Sequence, residues 1–298
     1  MLRSLRWPLA IALMNLASLA AAQVNLELSY TEESTSRIKS TFKLNQTLTI
    51  MEEAIATGQD SAQTVRVDVG SPSVSGIAIK FTIEAITANW TLPFGTNVVF
   101  DSANPGAKGD DPQAQAILDT QQSMLNASLT YRVQDRKVLA VEGMNEILRQ
   151  ATPAAADLLK ADLDEGRLKA EYQQQIDMYP TDEVQPGQSW SRTAVLNAGN
   201  GKTLTFDRRY EYVGPVDKDG KQLEQINFFD EKVRFMVPNI NASDLKIEAS
   251  SGMILFDREA GSPFSTQYKT HVKGTVTLNG MDDLEFDMRI VQTTESAP

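Results

Sequence analysis

Along much of the chain, apolar and polar residues change places at every step. Between Ile38 and Ile50 the even positions include Phe42, Leu44, Leu48 and Ile50, whereas the odd ones are Thr41, Lys43, Asn45, Thr47 and Thr49. A period of two sends the first set to one face of a β-strand and the second to the other. The alternation returns at Val65, Val67 and Val69, at Ile77, Ile79, Phe81 and Ile83, and at Leu129, Tyr131 and Val133. Beyond residue 200 it recurs at Leu204, Phe206, Tyr210 and Tyr212, at Val272, Val276 and Leu278, and at Leu284, Phe286, Met288 and Ile290. Strands with one polar face are half-buried and antiparallel, because parallel strands covered on both faces read as unbroken apolar runs.

Turn residues predict how these strands connect. Asp217-Lys218-Asp219-Gly220 separates Tyr210-Tyr212 from Gln225-Phe228, Asn279-Gly280 joins the last two strands, and Ser251-Gly252 is read as a turn between Leu245-Ile247 and Ile254-Phe256. Such residues accept the backbone angles of tight hairpins, so neighbours in sequence are expected to be neighbours in a meander.

The middle of the chain changes period. A Gln/Ala-rich stretch opens at Asp111-Pro112 and runs to about Met124. From Asn145 to Met178, Leu148, Leu158, Leu159, Leu163, Leu168, Tyr172 and Ile176 recur at nearly helical spacing. Thr152-Pro153 reads as an N-cap with proline in the first helical position, Gly166 is expected to end or bend that helix before Arg167 begins another, and Pro180 stops the last. The predicted fold class is α+β, mainly antiparallel β. It is a curved open barrel of long strands, with a helical insert at 144–180 between strand-rich blocks at 23–143 and 181–298, one compact unit.

The N-terminus carries an export signal. Arg3 and Arg6 precede an apolar run from Trp7 to Leu19, and Ala20-Ala21-Ala22 supplies small residues for signal peptidase. Residues 1–22 are therefore expected to be a cleaved signal peptide, cut after Ala22. The run is shorter than the roughly 20 residues of a membrane span, so the processed protein is expected to be periplasmic or secreted and not membrane-spanning.

Composition narrows the chemistry. The 298 residues hold 28 Lys+Arg against 39 Asp+Glu, giving a formal charge of −11, and no Cys. Scattered basic residues in an acidic chain exclude a nucleic-acid partner, since phosphate binding needs clustered cations. Without Cys there is no disulfide, thiolate metal site or thiol nucleophile. A chain of this length that folds as one unit gains enough burial to dispense with such staples.

Two segments repeat a short pattern. Val98-Val99-Phe100-Asp101 and Ile254-Leu255-Phe256-Asp257 are apolar strands ending in Phe-Asp, with a Gly after four intervening residues at Gly106 and after three at Gly261. They read as strand exits in which Asp caps a turn, or as traces of a duplication. Together with the signal peptide, the Pro186-Gly187-Gln188-Ser189-Trp190 strand entry and Val138-Leu139-Ala140-Val141-Glu142-Gly143-Met144, they resemble an uncharacterised family of exported bacterial proteins, a domain of unknown function. The resemblance implies export and fold but no activity. In architecture, long antiparallel strands with inserted helices are also similar to periplasmic lipoprotein-carrier half-barrels, where helices plug a concave sheet face.

No catalytic constellation emerges. His271 is the one histidine, it falls on the polar face of its strand, and no Gly-x-Ser-x-Gly turn accompanies it. Neither a Walker A loop nor Gly-x-Gly-x-x-Gly is present, so no cofactor is expected. Asp101, Asp110 and Asp111 are candidates for weak calcium binding, whereas Asp217 and Asp219 lack the closing Glu of a calcium loop, and no metal site is assigned. Aromatic residues remain: Trp90 with Leu92 and Phe94, Trp190, Tyr210 with Tyr212, and Phe228-Phe229 with Phe235. They read either as packed core or as the lining of an apolar cavity between curved sheet and helices. The expected lining is Phe42, Ile79, Phe81, Trp90, Leu163, Tyr172 and Phe206. Two functions are compatible with this: a non-enzymatic carrier of an apolar small molecule, or an interaction module that docks an envelope protein through exposed sheet edges.

Overall fold

The computed structural model describes residues 23–197, 203–236, 240–278 and 283–297. The expected signal peptide and the Asn279-Gly280 turn lie outside the described residues. In chain order the elements are β1 (Thr35–Ile50), β2 (Glu53–Val69), β3 (Ile77–Thr91), β4 (Asn97–Asp101), α1 (Pro112–Met124), β5 (Ser128–Gln134), β6 (Lys137–Glu142), α2 (Met144–Gln150), α3 (Pro153–Lys160) and α4 (Glu165–Asp177). They continue with β7 (Ser189–Asn197), β8 (Thr203–Lys218), β9 (Lys221–Met236), β10 (Ile240–Asp257), β11 (Ser262–Leu278) and β12 (Asp283–Ala297).

All twelve strands form one antiparallel sheet in the order β6-β5-β3-β2-β1-β12-β11-β10-β9-β8-β7, with β4 beside β3. The meander expected from the turn residues runs through each block, and pairing of β1 with β12, from Arg37↔Ala297 to Thr49↔Glu285, joins the blocks. The sheet is an open barrel with helices inserted between two strand-rich blocks.

Alternation is realised as an inner and an outer face. Phe206, Tyr210, Tyr212, Ile226, Phe228, Val272, Val276, Phe286 and Met288 are buried together around one core, and Val24 and Leu26 of the N-terminal segment join it. That segment is held by a bridge in which the amides of Val24 and Val184 each donate to the other's carbonyl, at 3.0 and 2.9 Å. A second core, around Val67, Ile79, Tyr131, Val133 and Val141, is covered by Ile147, Leu159, Leu163, Leu168, Tyr172 and Ile176 of the helical insert. Leu28 packs against both.

Helix starts follow local chemistry. The Asp111 side chain accepts from the Ala114 amide at 2.8 Å and Pro112 takes the first helical position of α1. Thr152 caps α3 in the same way through the Ala155 amide. Gly166 neither ends nor bends a helix: α3 stops at Lys160, and Gly166 lies in the first turn of α4, because Asp164 caps that helix through the Arg167 amide at 2.9 Å.

Ser251-Gly252 is likewise not a turn. β10 runs straight through it, with Gly252 opposite both Phe228 and Tyr268. A Cβ at Gly252 would sit 2.1 Å from Cζ of Phe228, so glycine is there to let that ring lie flat over the strand.

The two outer strands are closed by one helix. α4 lies across the opening between β6 and β7 and gives a glutamine to each. Gln173 accepts from the Val138 amide and donates to the Arg136 carbonyl, both at 2.9 Å, and Lys169 donates to the Leu139 carbonyl at 2.8 Å. On the other side Gln174 accepts from the Val195 amide at 2.7 Å and donates to its carbonyl at 3.4 Å. Past the helix end, Arg192 and Trp190 of β7 donate to the carbonyls of Asp177 and Met178 at 2.7 and 2.8 Å. Backbone groups that would template further strands are thereby occupied.

Candidate functional site

Among the described residues, two openings stand out. The first lies where α2 and α4 cover the inner face of β2, β3 and β5. It has a volume of about 210 Å³ and is walled by Val65, Phe81, Ile83, Met124, Ala127, Leu129, Tyr131, Ile147 and Tyr172, with Gln63 and Gln175 supplying amides. Three of its rings pack edge-on or tilted: Phe81 with Tyr131 at 5.5 Å, Phe81 with Tyr172 at 5.6 Å, and Tyr131 with Tyr172 at 4.5 Å between centroids. Such aromatic pairs add to area burial and fix the walls.

The tyrosine hydroxyls differ. Those of Tyr172 and Tyr30 lie 3.1 Å apart and share a hydrogen bond. Among the described residues the Tyr131 hydroxyl has no hydrogen-bond partner. Burial, reinforced by the nearby Glu171 charge, pushes Tyr131 up to about 12, and burial raises Tyr172 well above the ordinary tyrosine value. Both are neutral donors at any physiological pH.

The second opening is a fork in the sheet. Among the described residues β9 and β10 pair only from Glu224↔Phe256 to Phe228↔Gly252. Beyond that point β9 keeps its ladder with β8, and β10 its ladder with β11, but the two do not pair with each other. The space is about 720 Å³ and is bordered by residues 229–234 and 245–250. A polar cluster marks its closed end. Asp230, whose side chain is fully buried, accepts from Arg208 Nε at 2.7 Å, from the Tyr268 hydroxyl at 2.6 Å and from Ser250 Oγ at 2.9 Å. The Asp230 amide donates to Ser250 Oγ at 2.9 Å, where a ladder bond to the strand opposite would have continued. Arg208 is sandwiched over the rings of Phe228 and Tyr268, 4.6 and 4.3 Å from their centroids. A charge this buried is tolerated because every face of it is paired or stacked.

The seven residues expected to line one cavity fall in three places. Phe81 and Tyr172 wall the cleft, and Ile79 and Leu163 are buried in the core beneath the same helices. Phe206 is buried and Phe42 partly buried in the other core, and Trp90 packs with Val98, Phe100 and Leu118 under α1. Phe94 and Phe229 face outward, 84% and 39% exposed. Sequence reasoning missed Met124, Ala127, Ile147 and Gln175, which sit on a loop and on helix faces where no strand alternation flags them, and Gln63, a polar residue on the inner face of β2.

The other candidates have structural partners. His271 lies on the outer face, 3.0 Å from Asp287. Asp101 accepts from the Ala103 amide, and Asp257 from the amides of Glu259 and Ala260, so both Phe-Asp segments end in capped turns. Asp111 is the α1 cap. Among the described residues there is no group of three or more His, Asp or Glu placed to hold a metal ion.

Residues 75–214, from just before β3 into β8, match the model of a family described as a family of unknown function (DUF6263). The uncharacterised family expected from the short motifs is thus the kind of family this chain matches, and the segments at 97–106, 138–144 and 186–190 fall inside the matched range while 252–261 falls outside. No curated protein matches. Among solved structures, lipovitellin, studied for its lipid–protein interactions, is similar over 91% of this chain and 26% of its own, at 8% identity and a TM-score of 0.43. The chain thus spans about a quarter of that protein. A Bacteroides fragilis protein of YmcC-like fold, described as exported, is similar over 89% and 98% of the two chains at 8% identity and a TM-score of 0.23. A DUF1329 protein of Desulfovibrio piger follows at 87% and 85%, 7% identity and 0.16. At these scores the likenesses carry no argument about function. Among the described residues no helix is long and apolar enough to cross a membrane.

Proposed function

We propose that this is an exported, non-enzymatic protein that binds a small apolar ligand in the cleft beneath α2 and α4. The observation that supports the reading is the make-up of that cleft: nine apolar or aromatic walls, one of them carrying the unpartnered Tyr131 phenol, and two amides. Ligand sites combine a hydrophobic lining with a few polar groups that orient the guest, and this is such a combination. At about 210 Å³ the cleft is somewhat larger than the roughly 150 Å³ that holds one benzene ring. It suits a single ring system or a short acyl chain, with the Tyr131 hydroxyl donating to a polar end.

Titration of the purified protein with 1-naphthol, followed by calorimetry, tests this. Saturable binding to the parent and a loss of about tenfold or more in Ala127→Phe, whose ring fills the cleft, is the expected result. Absence of saturable binding, or equal binding by a folded Ala127→Phe variant, would contradict it.

A further inference from the structure

We propose that the cleft beneath α2 and α4 selects neutral guests whose polar end is a hydroxyl or an amide, and rejects the matching carboxylates. This rests on the cleft being a binding site for a small apolar ligand, and it names the head group that ligand carries.

Among the described residues, the lining holds no cation and no carboxylate. Its polar groups are neutral: the hydroxyls of the buried Tyr131 and Tyr172, and the amides of Gln63 and Gln175, whose exposure puts them at the mouth. Tyr172 already shares its hydrogen bond with Tyr30, whereas among the described residues neither glutamine side chain has a partner. A guest hydroxyl can accept from Tyr131 and donate to a glutamine oxygen, which satisfies both sides. A carboxylate leaving water for the same place meets no opposite charge, and an unpaired buried charge is far costlier than a buried hydroxyl.

The surroundings are negative as well. α1 ends at Met124 and α4 ends two residues past Gln175, so two helix C-termini, each with partial negative charge, border the cleft. The Glu171 carboxylate opposes ionisation of the Tyr131 phenol, and it would oppose a bound carboxylate in the same way. The cations that reach α4 are engaged elsewhere. Arg167 lies between Glu171 and Asp162, at 3.0 and 3.1 Å, Lys169 donates to the Leu139 carbonyl, and Arg136 donates to those of Ile176 and Tyr179. Nor do the rings form a cage for an ammonium ion. The centroids of Phe81, Tyr131 and Tyr172 stand 4.5 to 5.6 Å apart, so the rings pack on one another and not around a space.

The test is calorimetric titration at pH 7 with 1-naphthol, 1-naphthamide and 1-naphthoate, the last two matched in shape and differing in charge. Each affinity is read as the part of the binding that Ala127→Phe removes. The expected result is saturable binding of the naphthol and the amide, and binding of the carboxylate at least about tenfold weaker than either. A gap under about tenfold to either neutral compound overturns the selection, while naphthol binding still leaves the cleft as a ligand site. Absence of saturable binding by all three overturns both.

Discussion

At β6 and β7 the sheet's outermost strands meet a helix, whereas at β9 and β10 two inner strands part and are left facing one another. The same chemical problem, backbone groups without a strand partner, is present in both places. At the outer edges Gln173 and Gln174 of α4 imitate a neighbouring strand, each giving an acceptor to an amide and a donor to a carbonyl. At the fork a side chain does this once, where Ser250 takes the Asp230 amide, and the strands then separate. The comparison teaches that an exposed position in the strand order need not be the available one. Backbone groups at Val138, Leu139 and Val195 of the outer strands are held by α4, whereas among the described residues β9 and β10 beyond Phe228 and Gly252 have no ladder between them.

The largest way to disturb this contrast is at the fork's closed end. Asp230→Ala leaves Arg208 buried between two rings without its carboxylate, and the variant should lose about 3–5 kcal/mol of stability in urea unfolding. A loss under about 1 kcal/mol would mean that water reaches the cluster and that the fork has no anchored end.

An intermediate effect comes from pH, in both regions. Burial raises Tyr268 at the fork and pushes Tyr131 beneath the helices up to about 12. A phenol raised in the folded state ionises first in the unfolded chain, so its contribution is complete below about pH 10 and is lost as pH climbs toward 12. Melting temperatures should therefore hold to pH 10 and fall above it, with phenolate absorbance appearing together with unfolding. Phenolate appearing near pH 10 in protein that is still folded would contradict the burial of these rings.

The smallest effect belongs to the outer edges. Gln173→Ala with Gln174→Ala removes four side-chain bonds to backbone but lets water enter, so about 1–3 kcal/mol is expected in thermal unfolding. The double variant should also gain affinity for strand-forming peptides or self-associate, visible by light scattering. If it stays monomeric and inert, something other than α4 guards those edges.

Much of the architecture was legible in the chain. Strands with one polar face announced themselves, and two helix starts could be read from Asp111-Pro112 and Thr152-Pro153, whereas the Asp164 cap of α4 was not. The long first half of β2 could not, because Thr57, Gln59, Ser61 and Gln63 are polar on the inner side too and show no alternation. The β1–β2 turn was also silent: Met51 and Glu52 adopt positive φ values of 49° and 68° without the Asn or Gly that usually marks such a turn. Gly252 misled, since its role is space for Phe228 across the sheet and local sequence does not reveal a distant ring. The cleft was half visible through Phe81 and Tyr172. The fork was invisible, because where two strands stop pairing depends on register and on the Arg208–Asp230 cluster, which joins residues from four strands.

Residue-resolved hydrogen exchange on the free protein tests the central contrast most directly. The amides of Val138 and Val195, at the outer edges, should exchange as slowly as paired amides inside β8, and the fork-facing amides among 231–235 should exchange at least about a hundredfold faster. Protection of 231–235 to the level of β8 and β11, or rapid exchange at Val138 and Val195, would contradict the account.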